Sequence, residues 1–69
     1  MRKHERELSP RQHQILLLIA QGIRNRDIAK RLGISPNTVR NHVVDIFDKL
    51  GVRDRTQAAL LAYRQGYVG

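Results

Sequence analysis

The 69-residue chain has no cysteine and no tryptophan, and only one methionine, two prolines and five glycines. Without cysteine, neither a disulfide nor a thiolate zinc site can staple the fold. Chains this short seldom draw more than about 3–5 kcal/mol from a single core, so stability must come from regular helix packing, from a partner, or from both. Long apolar runs are missing too. The longest, Ile15 to Ala20, is far below the ~20 residues of a bilayer span, and no apolar stretch with a cleavage site follows the basic start. A soluble, unexported protein is expected. Aromatics are limited to Phe47, Tyr63 and Tyr67, too few and too scattered for a base-stacking platform on RNA or single strands. Acidic residues are also scarce: six Asp or Glu face thirteen Lys or Arg, for a formal charge of +7. That imbalance predicts attraction to a polyanion, nucleic acid first and an anionic membrane surface second.

Helical punctuation is plentiful. Residues 1–7 alternate charges without apolar periodicity and read as a flexible basic arm, with one domain over residues 8–69. Ser9 is placed as an N-cap, Pro10 suits the first turn, and Gln12 sits at the capping-box position. A first helix is expected over residues 10–21, with Gly22 as its left-handed stop. Ile28, Ala29 and Leu32 recur at helical spacing, which predicts a short second helix over residues 26–32 between an Asn25 cap and Gly33. Ser35 and Pro36 open the third, residues 36–50, with Ile34 set to staple onto Val39. Its apolar set, Val39, Val43, Ile46, Phe47 and Leu50, falls within about 100° of arc and forms one core-facing stripe. Asp54 and Gln57 repeat the capping-box spacing before a fourth helix over residues 55–65, stopped by Gly66. The fold class is all-α: a compact four-helix domain containing a helix-turn-helix.

Two helices joined by a short glycine-containing link describe the motif that places its second helix in the DNA major groove. Such corners also occur in small bundles that bind no DNA, so the outward face of the third helix has to decide. It carries Asn37, Arg40, Asn41 and Val44. Arg forks onto guanine O6/N7, Asn pairs with adenine N6/N7, and an apolar tip can meet a thymine methyl. Asp45 and Asp48 repel phosphate further along, so the groove contact should end near Val44. Arg24, Arg26, Lys30 and Arg31 stand against Asp27 alone in residues 24–31, which surrounds the reading helix with positive field. Phosphate contacts position and base contacts specify, a division that fits a sequence-specific binder. A cationic surface kept only for solubility is the plainer alternative.

The run from Thr38 to Val43, T-V-R-N-H-V, followed by Lys49-Leu50-Gly51-Val52, together with Leu8-Ser9-Pro10-Arg11, Ala20-Gln21-Gly22, Ile34-Ser35 and Arg55-Thr56-Gln57-Ala58-Ala59, resembles the LuxR/GerE-type DNA-binding domain. The resemblance covers roughly residues 8–68. It implies a four-helix domain of bacterial transcription regulators, found at the C-terminus of response regulators or quorum-sensing receptors or standing alone. It also implies double-stranded DNA as partner, with Arg40, Asn41 and Val44 facing bases and Asn25, Arg26, Ser35, Asn37, Thr38 and Lys49 near the sugar-phosphate backbone. Relatives dimerise on DNA through the fourth helix. If the chain is a fragment, a receiver or ligand-sensing domain precedes it; RNA polymerase is a further partner, and the location is cytoplasmic, at the nucleoid. The chain departs from the pattern at Gln12 and Gln14, where relatives usually carry glutamates, at Arg24, where they often have a Ser or Thr cap, and at Val44, where they often have a basic residue.

Other functions find less support. His4, His13 and His42 show no i, i+4 pairing, so neither metal nor cofactor is expected. No glycine-rich phosphate loop, nucleophile elbow or paired carboxylates appear, so no enzyme is expected. His42 flanks the core stripe and reads as a partly buried packing residue. A membrane-surface helix would need a basic face opposite a bulky apolar one, and the most basic helix is too short. The competing reading is a helical protein-interaction module, because the fourth helix runs from Ala58 to Tyr63 without a polar break. That surplus fits a homodimer seam, weak without DNA, through Thr56, Ala59, Leu60 and Tyr63.

Overall fold

The computed structural model describes residues 7–66, which form four helices: α1 (Pro10–Ala20), α2 (Asn25–Leu32), α3 (Pro36–Leu50) and α4 (Arg55–Arg64). No strand occurs among the described residues. Apart from Glu7, the arm expected over residues 1–7 lies outside them.

The caps explain where each helix begins. Ser9 Oγ accepts from the Gln12 amide at 3.1 Å, and Gln12 Oε1 accepts in return from the Ser9 amide at 3.1 Å, completing the expected box. Ser35 Oγ accepts from the Thr38 amide at 3.0 Å. At α4 the box is only half made. Asp54 caps the Gln57 amide at 2.9 Å, but Gln57 Oε1 accepts from Arg53 N instead of Asp54 N. The start of α2 corrects the sequence reading: Arg24 occupies the cap position and makes no side-chain cap bond, while Asn25 is the first helical residue. The Asn25 side chain is unavailable for capping because it accepts from Arg55 across the fold. Asp27 in the first turn and Lys30 and Arg31 in the last supply the dipole complement that the missing cap does not.

Gly33 sits at φ +69° in the link between α2 and α3, where a side chain would clash with its own backbone. The amide of Ile34 then closes onto Ala29 O at 3.1 Å, which satisfies a carbonyl at the end of α2 and turns the chain into α3 within four residues. Helices α1 and α4 end one residue earlier than expected, with Gln21 and Gln65 as caps.

Ile15, Leu16 and Ile19 of α1 meet Ile28 and Ala29 of α2, Val39, Val43 and Ile46 of α3, and Ala58 and Ala62 of α4 in one core. Phe47 and Leu50, expected in the same stripe as Val39, are only partly buried and pack at its edge. Helix α1 is the hub, touching both α3 and α4, while α2 packs on α3. Small side chains at Ala58 and Ala62, both 0% exposed, leave α4 bound to the core by close approach and not by bulk. This arrangement leaves the outer face of α3 and one face of α4 open. No described helix is long and apolar enough to cross a membrane.

Candidate nucleic-acid interface

Burial of Val39, Val43 and Ile46 fixes the rotation of α3, so its other side must face outward. Asn37, Arg40, Asn41 and Val44 are all exposed there. Val44 is 63% exposed, the one apolar side chain among them. His42, between the two faces, is half-buried.

The N-terminus of α2, the helix packed on α3, lines an open cleft of about 540 Å³ formed by Arg24, Asn25, Arg26, Asp27, Lys30 and Arg55. Four cations face one carboxylate. The half-buried Arg55 guanidinium donates to Asn25 Oδ1 and to Ile23 O, both at 2.7 Å. Burial alone lowers its pKa, yet a guanidinium remains charged at any physiological pH. Its hydrogen bonds are to neutral oxygens, so they satisfy its donors without cancelling its charge. The first-turn amides of α2 add positive potential to the same concave surface.

The expected backbone-contacting residues divide into three situations. Arg26, Asn37, Ser35 and Thr38 are exposed, the last two with hydroxyls 2.9 Å apart at the start of α3. Asn25 is half-buried and held by Arg55. Lys49 lies apart from both groups. Its ammonium donates to Gln12 Oε1 at 2.9 Å and to Glu7 O at 3.2 Å, and it pairs with Asp45 at 3.4 Å. Gln12 closes this network, since its amide nitrogen donates to Asp45 Oδ2 at 2.6 Å while the residue is 4% exposed. The Gln12 amide holds the Asp45 carboxyl below the usual carboxylate range; desolvation, the next effect in size, opposes it, and the Lys49 ammonium and then His42 add smaller lowering effects. Asp45 is thereby tethered to α1, although it remains exposed.

On α4, Leu60 and Tyr63 are 52% and 55% exposed, Thr56 is exposed and Ala59 is half-buried. The four share the face opposite Ala58 and Ala62. The Tyr63 hydroxyl donates weakly to Ala20 O at 3.4 Å, so its ring lies back along the end of α1. Among the described residues no group of three or more His, Cys, Asp or Glu side chains is placed to hold a metal ion.

A family model describing bacterial regulatory proteins of the luxR family matches residues 6–62. The chain belongs to the LuxR family. It is 45% identical over 60 residues to the transcriptional regulatory protein LnrK of Bacillus subtilis, a match covering 87% of this chain and 27% of LnrK. It is 46% identical over 65 residues to the transcriptional regulatory protein LiaR of the same organism, covering 94% of this chain and 30% of LiaR. The response regulator protein VraR of Staphylococcus aureus is 44% identical over 61 residues, covering 88% of this chain and 29% of VraR. The chain thus spans less than a third of the length of these relatives. Membership gives the coarse function, DNA-binding regulation of transcription.

Within this LuxR-family domain, sequence reasoning missed two residues that organise the site. Arg55 was visible only as part of a family motif, because its partners Asn25 and Ile23 lie 30 and 32 positions away. Gln12 was visible as a cap, but its ties to Asp45 and Lys49 span 33 and 37 positions. No local pattern reports contacts at that separation.

Proposed function

We propose that this LuxR-family domain reads double-stranded DNA by laying the first half of α3 in the major groove. Arg40, Asn41 and Val44 meet base edges, and Asn25, Arg26, Ser35, Asn37 and Thr38 meet the sugar-phosphate backbone, with Arg24 and Lys30 adding to the phosphate-facing charge. The observation that carries this reading is an exposed, uncharged-to-cationic set on α3 together with a cleft at the start of α2, the helix packed on α3, where four cations face one carboxylate. The cleft suits a phosphate, since an anion there would gain from four cations and the α2 amides together. Lys49 was expected on the backbone as well, but its ammonium already has three oxygens to serve, and releasing it would undo the Gln12 network. Its role in the proposal is to hold α1 against α3.

A salt titration separates these roles. Arg26→Ala should flatten the log-affinity against log-salt slope by about one unit and weaken cognate and scrambled duplexes alike. Lys49→Ala should lower the melting temperature and leave the slope nearly unchanged. A slope that falls as far for Lys49→Ala as for Arg26→Ala would return Lys49 to the phosphate contacts.

The open face of α4 supports a homodimer through Thr56, Ala59, Leu60 and Tyr63. Two exposed apolar side chains beside small residues give a limited seam, so pairing should be weak in solution and gain on DNA, where both protomers are held in place. Leu60→Asp should remove cooperative binding to a duplex with two half-sites and leave binding to a single half-site intact. Unchanged cooperativity would show that protomers meet elsewhere. Where such a domain belongs to a longer regulator, a signal-receiving part would lie in the rest of that protein, and the assembly would work in the cytoplasm at the nucleoid.

A further inference from the structure

The proposed reading face contains one side chain that neither hydrogen bonding nor charge explains. Val44 is 63% exposed, and its neighbours Arg40, Asn41, Asp45 and Asp48 are exposed and polar. It is not joined to the other exposed apolar residues, Leu60 and Tyr63, which stand on α4. Helix α4 packs on α1, whereas α3 packs on α1 and α2, so the α4 seam offers no cover for Val44. An isolated branched apolar tip is too small to anchor a protein partner, where buried anchors are typically aromatic or Arg side chains in packed pockets. In the major groove it has one apolar counterpart, the C5 methyl group of a pyrimidine.

We infer that Val44 is a specificity-determining residue that reads a pyrimidine C5 methyl, so that each half-site holds a thymine, replaceable in this one contact by 5-methylcytosine. The inference rests on the DNA-reading function proposed above and adds the chemical identity of one contact. Position along the helix makes it specific. Val44 lies one turn beyond Arg40 and Asn41, the last exposed residue of the set before Asp45 and Asp48 place carboxylates on the helix. Asp45 accepts from Gln12 at 2.6 Å and pairs with Lys49 at 3.4 Å, so its charge beside the methyl contact is partly compensated. A hydroxyl or ammonium at residue 44 would seek a base acceptor or a phosphate; valine can only reward a methyl.

The test begins by selecting bound duplexes from a randomised pool with the whole chain. Each thymine of the selected site is then replaced singly by deoxyuridine, which removes the methyl and preserves base pairing. One thymine per half-site should stand out, its replacement weakening binding about three- to fivefold, the effect of one buried methyl-sized group. Val44→Ala, which changes an exposed side chain and should keep the wild-type melting temperature, should reduce that sensitivity to less than about 1.5-fold, within ordinary scatter for a missing contact. Exchanging the same pair for C·G should weaken binding, and 5-methylation of that cytosine should recover about the same three- to fivefold factor. A selected site whose uracil scan is flat, or equally sensitive in Val44→Ala, overturns the methyl contact while leaving DNA reading intact. A pool that never converges overturns the sequence-reading function itself, and this inference with it.

Discussion

Arg40→Ala is expected to weaken binding to the selected duplex by about 1–3 kcal/mol per half-site, roughly 5- to 150-fold, and to make one base position indifferent to its identity. On a scrambled duplex the loss should be several-fold smaller, because there Arg40 contributes only charge. The asymmetry follows from geometry. Arg40 stands one turn into α3 on the exposed side, with Val39 and Val43 buried behind it, so its fork projects with the helix into the groove. None of the described hydrogen bonds or salt bridges engages its guanidinium, and the fold does not depend on it. Competition between cognate and scrambled duplexes, measured for wild type and variant at one salt concentration, checks the expectation. An equal loss on both would mean that Arg40 serves phosphate and that α3 is docked differently.

Gln12→Glu should be damaging in this chain, although the family resemblance puts a glutamate there in relatives, because here the Asp45 carboxylate stands opposite. Gln12 both accepts, from Ser9 N and Lys49 Nζ, and donates, to Asp45 Oδ2 at 2.6 Å. A glutamate keeps the first role and fails the second, setting two carboxylates against one another at a site where residue 12 is 4% exposed. Lys49 offsets part of the repulsion. The remainder should cost about 1–3 kcal/mol at pH 7, lowering the melting temperature by roughly 5–15 °C in a domain of this size. The pH dependence changes sign with the substitution. In the native chain the folded Asp45 pKa is lowered by Gln12 and then Lys49. Its contribution is therefore present above the unfolded value near 3.9 and is lost as pH falls through the lower folded value. In the variant, like-charge contact raises one of the two carboxyl pKa values, so stability should rise between pH 7 and 5 as that group takes up a proton and donates. Asp45→Asn in the same chain should restore stability at pH 7, because the new amide supplies the missing donor. Thermal melts of wild type, single and double variants across that pH range check it. A Gln12→Glu variant as stable as wild type at pH 7 would show that the Gln12 donor does not matter.

The helices were legible because their signals are local. Ser9-Pro10, Ser35-Pro36, Gly22, Gly33 and Gly51 mark boundaries within a residue or two, and the spacing of Val39, Val43 and Ile46 gave the rotation of α3 and hence the outward set. Local rules failed where a side chain prefers a distant partner. Asn25 reads as an N-cap in isolation, yet Arg55 takes its carbonyl oxygen, and the cap passes to Arg24. Lys49 reads as a free cation near the end of α3, yet Gln12, Glu7 and Asp45 enclose its ammonium. What could be read locally was which side chains are exposed. What could not be read was which charges cross-helix bonds engage.

Whether α3 enters the major groove can be asked of the DNA directly. Sparse methylation of the selected duplex with dimethyl sulfate modifies guanine at N7 in the major groove and adenine at N3 in the minor groove, and the bound fraction shows which modifications block binding. Interference is expected at the N7 of one guanine in each half-site, and it should disappear in Arg40→Ala. Interference confined to adenine N3, or guanine interference that persists unchanged without Arg40, would contradict it.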